Sequence, residues 1–240
     1  VKTRILALSL IVITVFTFGL MPAAAQEDDC YAKDGMWDAD TNTCVITVGV
    51  TVDVGYPLEL AAYPEASAVI DAFIADQQQA FISSYAPDYT LPSHVNNWWM
   101  GISHETYQFS DDIRSVLFTT SFYTGGAHPN SGHTAFTFDV ATGTQLQLAD
   151  LFVGGSVPWD MISTLVQDDL NTRLTEMTDA ATIEAGTGMN PDNYQSWVLT
   201  PDSIIFFFDP YQVAAYAAGP QQSEIPLSTF AEQLNAPFAT

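Results

Sequence analysis

The spacing of apolar residues changes several times along the chain, and each change marks an element. Ile46, Val48, Val50, Val52 and Val54 alternate with Thr47, Gly49, Thr51 and Asp53. A period of two predicts a strand with one buried face. From Pro64 the period lengthens: Ala66, Val69, Ile70, Phe73, Ile74, Ala80, Phe81 and Tyr85 share one helical stripe, with Asp71, Asp76 and Gln78 off it. That pattern predicts an amphipathic helix lying on a sheet. Strand-like segments return at 101–110, 115–124 and 133–140, and Ala141-Thr142-Gly143 turns the chain into 144–148, which reads as an antiparallel meander. A second helix is expected from about Ser156, with Pro158 in its first turn, where a missing N–H costs nothing. Its stripe is Met161, Ile162, Leu165, Val166, Leu170, Leu174 and Met177, and 178–193 reads as loop. Segments 196–200 and 203–208, joined by Pro201-Asp202, form a hairpin. The unbroken apolar run 204–208 predicts a central strand covered on both faces. A Gly/Ala/Pro loop, a short strand at 223–225 and a helical turn or two at 227–234 complete the chain.

These elements predict an α+β fold, an antiparallel or mixed sheet with two main helices packed on it. Residues 45–236 show no repeat or linker and are expected to form one domain. Ahead of them, Lys2 and Arg4, the apolar run 5–20 and Ala23-Ala24-Ala25 make a signal peptide over residues 1–25, cleaved after Ala25. The run is short for a membrane span and is followed by acids; an uncleaved anchor is the alternative. The chain is therefore expected outside the cytoplasmic membrane, secreted or periplasmic. In that compartment Cys30 and Cys44 are expected to close one disulfide in the segment 26–44. A loop of that size contributes about 3 kcal/mol in the chain-entropy account.

Charge changes the picture of partners. The 240 residues include 28 acidic and 5 basic side chains, yet 48% are apolar, enough for a sizeable core. No acid precedes Glu27, so leader removal leaves Lys33, Arg114 and Arg173 against all 28 carboxylates. Such a surface repels nucleic acid and attracts basic proteins or cations; adaptation to a salty medium explains it equally well. Asp38-x-Asp40-x-Asn42 imitates the opening of a calcium loop, but Thr43 and Gly49 stand where that loop needs Gly and Glu. It reads as a solvated turn.

No nucleophile elbow, zinc-protease or phosphate-loop motif occurs. His128 and His133, separated by Pro129-Asn130-Ser131-Gly132, lack the helical spacing of a zinc site. Asp139, Asp150 and Asp209 are the better carboxylate candidates, but each sits at a strand end where turn chemistry accounts for it as well. No catalytic residue, metal or cofactor is therefore assigned. Two loops are candidates for binding. One holds Gly125, Gly126, His128 and Pro129; the other holds Pro210, Tyr211, Tyr216 and Gly219, its tyrosines offering contact area at low entropic cost or else plugging the core edge.

Several motifs recur in order: Tyr123-Thr124-Gly125-Gly126-Ala127-His128-Pro129, Phe136-x-Phe138-Asp139, Leu148-x-Asp150-Leu151-Phe152, Asn193-Tyr194-Gln195 and Phe206-Phe207-Phe208-Asp209-Pro210-Tyr211. Over about residues 45–234 this order resembles an extracytoplasmic family of unknown function. The family includes the ectodomain of the lysozyme-sensing anti-sigma factor RsiV, the N-terminal part of some peptidoglycan deacetylases and a secreted mycobacterial immunogenic protein. The resemblance implies an RsiV-like fold and a secreted, non-catalytic binding domain, with a basic cell-wall-lytic protein such as lysozyme as its partner. A cell-wall glycan-binding or hydrolytic accessory domain is the alternative.

Overall fold

The computed structural model describes residues 8–17, 23–33, 35–41 and 43–239, with side chains from residue 27 onward. The strands are β1 (Leu8–Thr17), β2 (Met36–Asp38), β3 (Thr43–Val54), β4 (Asn97–Gln108), β5 (Ile113–Tyr123), β6 (Asn130–Asp139), β7 (Thr144–Leu146), β8 (Trp197–Leu199), β9 (Ser203–Phe208) and β10 (Gln221–Pro226). The helices are α1 (Ala23–Ala32), α2 (Pro64–Ser84), α3 (Ser93–Asn96), α4 (Trp159–Arg173) and α5 (Ala180–Thr187). The main sheet has strand order β1-β3-β4-β5-β6-β7, with β2 beside β3; a second sheet has order β10-β9-β8. β3 and β4 run parallel and β1 pairs β3 antiparallel, so the main sheet is mixed. The expected α+β class is found, with two sheets in place of one.

The chain divides into two compact units, 1–55 with 73–102 and 121–130, and 56–72 with 103–120 and 131–240. In the first unit, β3 shows the expected alternation: Ile46, Val48, Val50, Val52 and Val54 are buried. Cys30 and Cys44 form the expected disulfide and pack with Ile46 and Val48. The Asp38 turn is as expected, its Oδ1 accepting from the backbone N–H groups of Asp40 and Thr41, while Asn42 lies outside the described residues. Of the expected leader, 1–7 and 18–22 lie outside the described residues; Leu8–Thr17 is β1, and the expected cleavage point after Ala25 falls within α1. The second half of α2 seats Phe81 and Tyr85 on Trp98 of β4, at ring separations of 6.1 and 5.3 Å. Ala80, placed on the buried stripe by periodicity, is exposed.

The second unit holds the larger core. Every residue of β9 is buried, and β9 lies between β8 and β10, as the unbroken apolar run predicts. One face of this small sheet (Leu199, Ile204, Phe206, Phe208, Ile225) shares a core with Ile162, Val166 and Leu170 of α4 and Ile183 of α5. Tyr194 stands edge-on to Phe206 and Phe208 in that core. The other face carries Val198, Ile205 and Phe207, packed with Leu117, Tyr107 and Ala135.

Two expectations fail here for local reasons. α4 ends at Arg173, so Met177 lies beyond it and is 62% exposed. The segment read as loop contains α5, started by Asp179, whose side chain accepts from the Thr182 N–H at 2.8 Å. An Asp at that position caps a helix, but α5 has only eight residues and buries little apolar surface, which leaves its periodicity faint.

Candidate functional site

The site is built around a contact between residues far apart in sequence. Asp209 follows the last residue of β9, and its Oδ1 accepts from the backbone N–H of His133 at 2.7 Å; the same Oδ1 lies 2.8 Å from His133 Nδ1. An ionised carboxylate can only accept, so Nδ1 donates to it, and in the neutral imidazole Nε2 is then the nitrogen that presents a lone pair. Gly132 makes this approach possible: a Cβ there would stand 3.2 Å from Asp209 Oδ2. The imidazole also packs against Phe207, with ring centroids 5.7 Å apart. Asp209 itself is held by the turn that follows, where Gln212 N–H donates to Asp209 O (3.0 Å) and Asp209 N–H to Gln212 Oε1 (3.2 Å). Gln212 Nε2 in turn donates to Gly186 O and Asn193 O, both at 3.0 Å, tying the turn to α5 and the segment after it.

His133 forms part of the wall of an open cleft of about 320 Å³ within this unit. Phe207 and Tyr107 give the cleft aromatic surface, Leu117 and Pro220 add apolar surface, and Glu105, Thr119, Arg173, Gln221 and Gln222 supply polar groups. Tyr107 Oη donates to Glu105 Oε2 at 2.9 Å. Burial, and then the neighbouring carboxylate, push the Tyr107 hydroxyl up to about 12, so it stays a neutral donor at all physiological pH. Arg173 is fixed by a fork to Asp169 (Nε–Oδ1 2.8 Å, Nη2–Oδ2 2.9 Å) and reaches Gln221 Oε1 through Nη1. The guanidinium in turn holds the Asp169 carboxyl below its usual range. His133 also lines a second cleft of about 240 Å³ with Thr134, Gln195, Ser196 and Trp197. Ser196 donates its hydroxyl proton to the carbonyl oxygen of His133 at 2.9 Å, not to the ring, so Ser196, His133 and Asp209 do not form a relay. Among the described residues no three His, Cys, Asp or Glu side chains gather as for a metal ion.

The residues proposed from sequence lie elsewhere. Pro210 and Tyr211 are the central pair of the turn closed by Gln212, and Tyr211 has φ 74°, a conformation that costs a non-glycine residue energy. Tyr211 is exposed and its ring lies 5.6 Å from that of Tyr216, so the structure does bring these two together. Gly219 supplies the left-handed residue (φ 69°) leading to Pro220 and β10. Gly125, Gly126, His128 and Pro129 belong to the other unit. There Gly125, at φ 86°, passes so near Val95 that a Cβ would stand 2.4 Å from its carbonyl oxygen, while His128 is exposed with Nδ1 2.8 Å from Pro129 O. Two of the three carboxylate candidates are turn residues: Asp139 Oδ1 accepts from the N–H groups of Ala141 and Thr142, and Asp150 Oδ2 from that of Gln147. Asp209 is the exception. Tyr107, Phe207 and the pairing of His133 with Asp209 are not among the sequence-level candidates, because no local spacing links positions 76 residues apart.

The architecture is that of an α+β protein with a mixed main sheet, a buried three-stranded sheet and an open cleft beside it. Residues 149–228, which contain α4, α5 and the whole small sheet, match the family described as a protein of unknown function, DUF3298. Over these residues the match bears out the resemblance read from the motifs. A Mycobacterium tuberculosis protein named as an esterase is 28% identical over 229 residues, 94% of this chain and 96% of its own. Immunogenic protein MPB64 of Mycobacterium bovis is 27% identical over 72% of this chain and 74% of its own. The peptidoglycan-N-acetylmuramic acid deacetylase PdaC of Bacillus subtilis is 23% identical over 58% of this chain but only 30% of its own. Among solved structures, a DUF3298 protein of Pseudomonas aeruginosa superposes with a TM-score of 0.57 at 16% identity, covering 99% of this chain and 96% of that one. A second, from Bacteroides fragilis, gives 0.51 at 14% identity, covering 98% and 95%. These share the fold.

Proposed function

We propose that the chain is an extracytoplasmic ligand-binding domain whose cleft at Tyr107, His133 and Phe207 takes a hydroxyl-rich ligand, a cell-wall glycan. The observation that carries this reading is the composition of the cleft. Two aromatic rings offer apolar faces, while Glu105, Thr119, Arg173, Gln221 and Gln222 offer polar donors and acceptors. Ligand sites combine apolar walls with a few placed polar groups in this way. A volume of about 320 Å³ suits one or two sugar rings. The disulfide fits an oxidising compartment outside the cytoplasm. In a sedimentation assay with purified peptidoglycan, the protein is expected in the pellet, and Tyr107→Ala, which removes a half-buried ring, is expected to weaken binding about tenfold. Binding that Tyr107→Ala leaves unchanged would place the ligand elsewhere.

The charge favours a second reading, a basic protein such as lysozyme as partner. None of the carboxylates among the residues with described side chains is buried, so the acidic surface is open to a cationic protein. A lysozyme pull-down run beside the glycan assay separates the two. Capture that survives moderate salt supports the protein partner; capture lost as salt screens the charges reflects net charge alone.

A further inference from the structure

The cleft contains one group that recognition of a neutral ligand does not require. Asp209 holds the His133 imidazole in the Nδ1–H tautomer, so that Nε2 is the free base. Among the described residues Nε2 has no protein partner, and it is not sealed from solvent. The side chain is otherwise well enclosed, at 9% exposure, with Phe207 along one face of the ring. An imidazole that served only to pin β6 to the turn after β9 would gain little from an Nε2 left without a protein partner.

We infer that this cleft hydrolyses an oxygen ester, with His133 Nε2 as general base toward water and an O-acylated glycan as substrate. The inference rests on the glycan reading above for its substrate class. The nearly full-length similarity to a protein named as an esterase supports the reaction type. Among the described residues no serine hydroxyl is hydrogen-bonded to the His133 ring, and that of Ser196 donates to the His133 carbonyl oxygen, so water is the nucleophile in this scheme. Nε2 takes a proton from the water as its oxygen bonds to the acyl carbon. The bond from that carbon to the sugar oxygen then breaks, and the proton on Nε2 passes to the departing alkoxide. The products are a carboxylic acid and a free sugar hydroxyl, with no oxidant or further reactant consumed. Asp209 keeps the Nδ1 proton in place throughout and offsets the charge of the transient imidazolium. It is a positioning residue, as is Gly132, which lets it approach. Tyr107 and Phe207 contribute the aromatic walls against which a sugar ring stacks.

The test measures acetate released from O-acetylated peptidoglycan and hydrolysis of p-nitrophenyl acetate, each beside glycan sedimentation. Wild-type protein is expected to hydrolyse both esters. His133→Gln, which keeps the bulk and removes the base, is expected to lower kcat at least about 100-fold, a loss far larger than any weakening of its sedimentation with glycan. His133→Ala should regain part of its activity with added imidazole, which a purely structural role would not produce. Asp209→Asn is expected to lower kcat and leave KM nearly unchanged. Wild-type protein that sediments with glycan but releases no acetate overturns the inference and leaves the binding reading standing. So does a His133→Gln variant within threefold of wild type. Ester hydrolysis lost with His133 in a protein that fails to sediment with glycan overturns the glycan substrate and the binding reading instead.

Discussion

Replacing Phe206 with alanine is expected to destabilise the protein by about 3–5 kcal/mol, the range for deleting a fully buried ring. Phe206 has no exposed surface and lies on the middle strand of the small sheet. Its ring meets Tyr194 edge-on at 5.2 Å and shares a core with Ile162, Val166 and Leu170 of α4. The surroundings are poorly able to collapse into the void. Tyr194 is tethered by its hydroxyl to Thr187 O, and the neighbouring Phe208 is itself fully buried. Denaturant titration followed by tyrosine and tryptophan fluorescence would read the loss as a lower midpoint at unchanged slope. Phe207→Leu on the opposite face, where the side chain borders the cleft, is expected to cost less, because part of that face is already open. A Phe206→Ala protein with a wild-type midpoint would mean that the small sheet is not the centre of this core.

The second large effect is expected from Gly186→Ala, and it connects packing to the site. A Cβ at position 186 would stand 2.0 Å from Gln212 O and 2.8 Å from its carbonyl carbon, both backbone atoms. Neither can move aside as a flexible side-chain end could, so the turn 209–212 or α5 must shift as a whole. Overpacking of this kind costs about 1–3 kcal/mol. Alanine is the better helix former, worth about 1 kcal/mol over glycine, which offsets only part of the clash. The functional consequence should exceed the loss of stability. The turn carries Asp209, and Gln212 ties it to Gly186 O and Asn193 O, so displacing it loosens the contact with His133. The expected result is a protein that folds, with a modestly lower midpoint, but whose ester hydrolysis falls to the level of Asp209→Asn. A Gly186→Ala protein with full hydrolytic activity would uncouple α5 from the site.

The strands were legible wherever the period was clean or the run was long. The alternation from Ile46 to Val54 becomes the alternating burial of β3, and the apolar run 204–208 becomes the doubly covered β9. Patterning identified surfaces correctly but not always their limits. Ala80 keeps the helical spacing of α2 yet is exposed, because a buried stripe is set by what the helix meets and not by its period alone. α5 leaves little periodic signal because eight residues span barely two turns. The second sheet is not legible in the sequence because a hairpin reads alike whether it joins a large sheet or starts a small one. The site was the least legible part. Its loops could be named from turn residues and aromatics, and Tyr211 with Tyr216 do form a pair. The cleft, however, is assembled from β4, β5, β6, β9, α4 and the residues entering β10, and its central contact joins positions 76 apart. No single stretch of sequence carries that information.

Ligand is expected to bind in the cleft at Tyr107, His133 and Phe207. A crystal structure of the protein soaked with a muropeptide-derived disaccharide tests it most directly. The account predicts a sugar ring stacked on Tyr107 or Phe207, with a hydroxyl or acyl oxygen within hydrogen-bonding distance of His133 Nε2. A disaccharide bound with full occupancy at the Tyr211–Tyr216 pair, with the cleft empty, would contradict it.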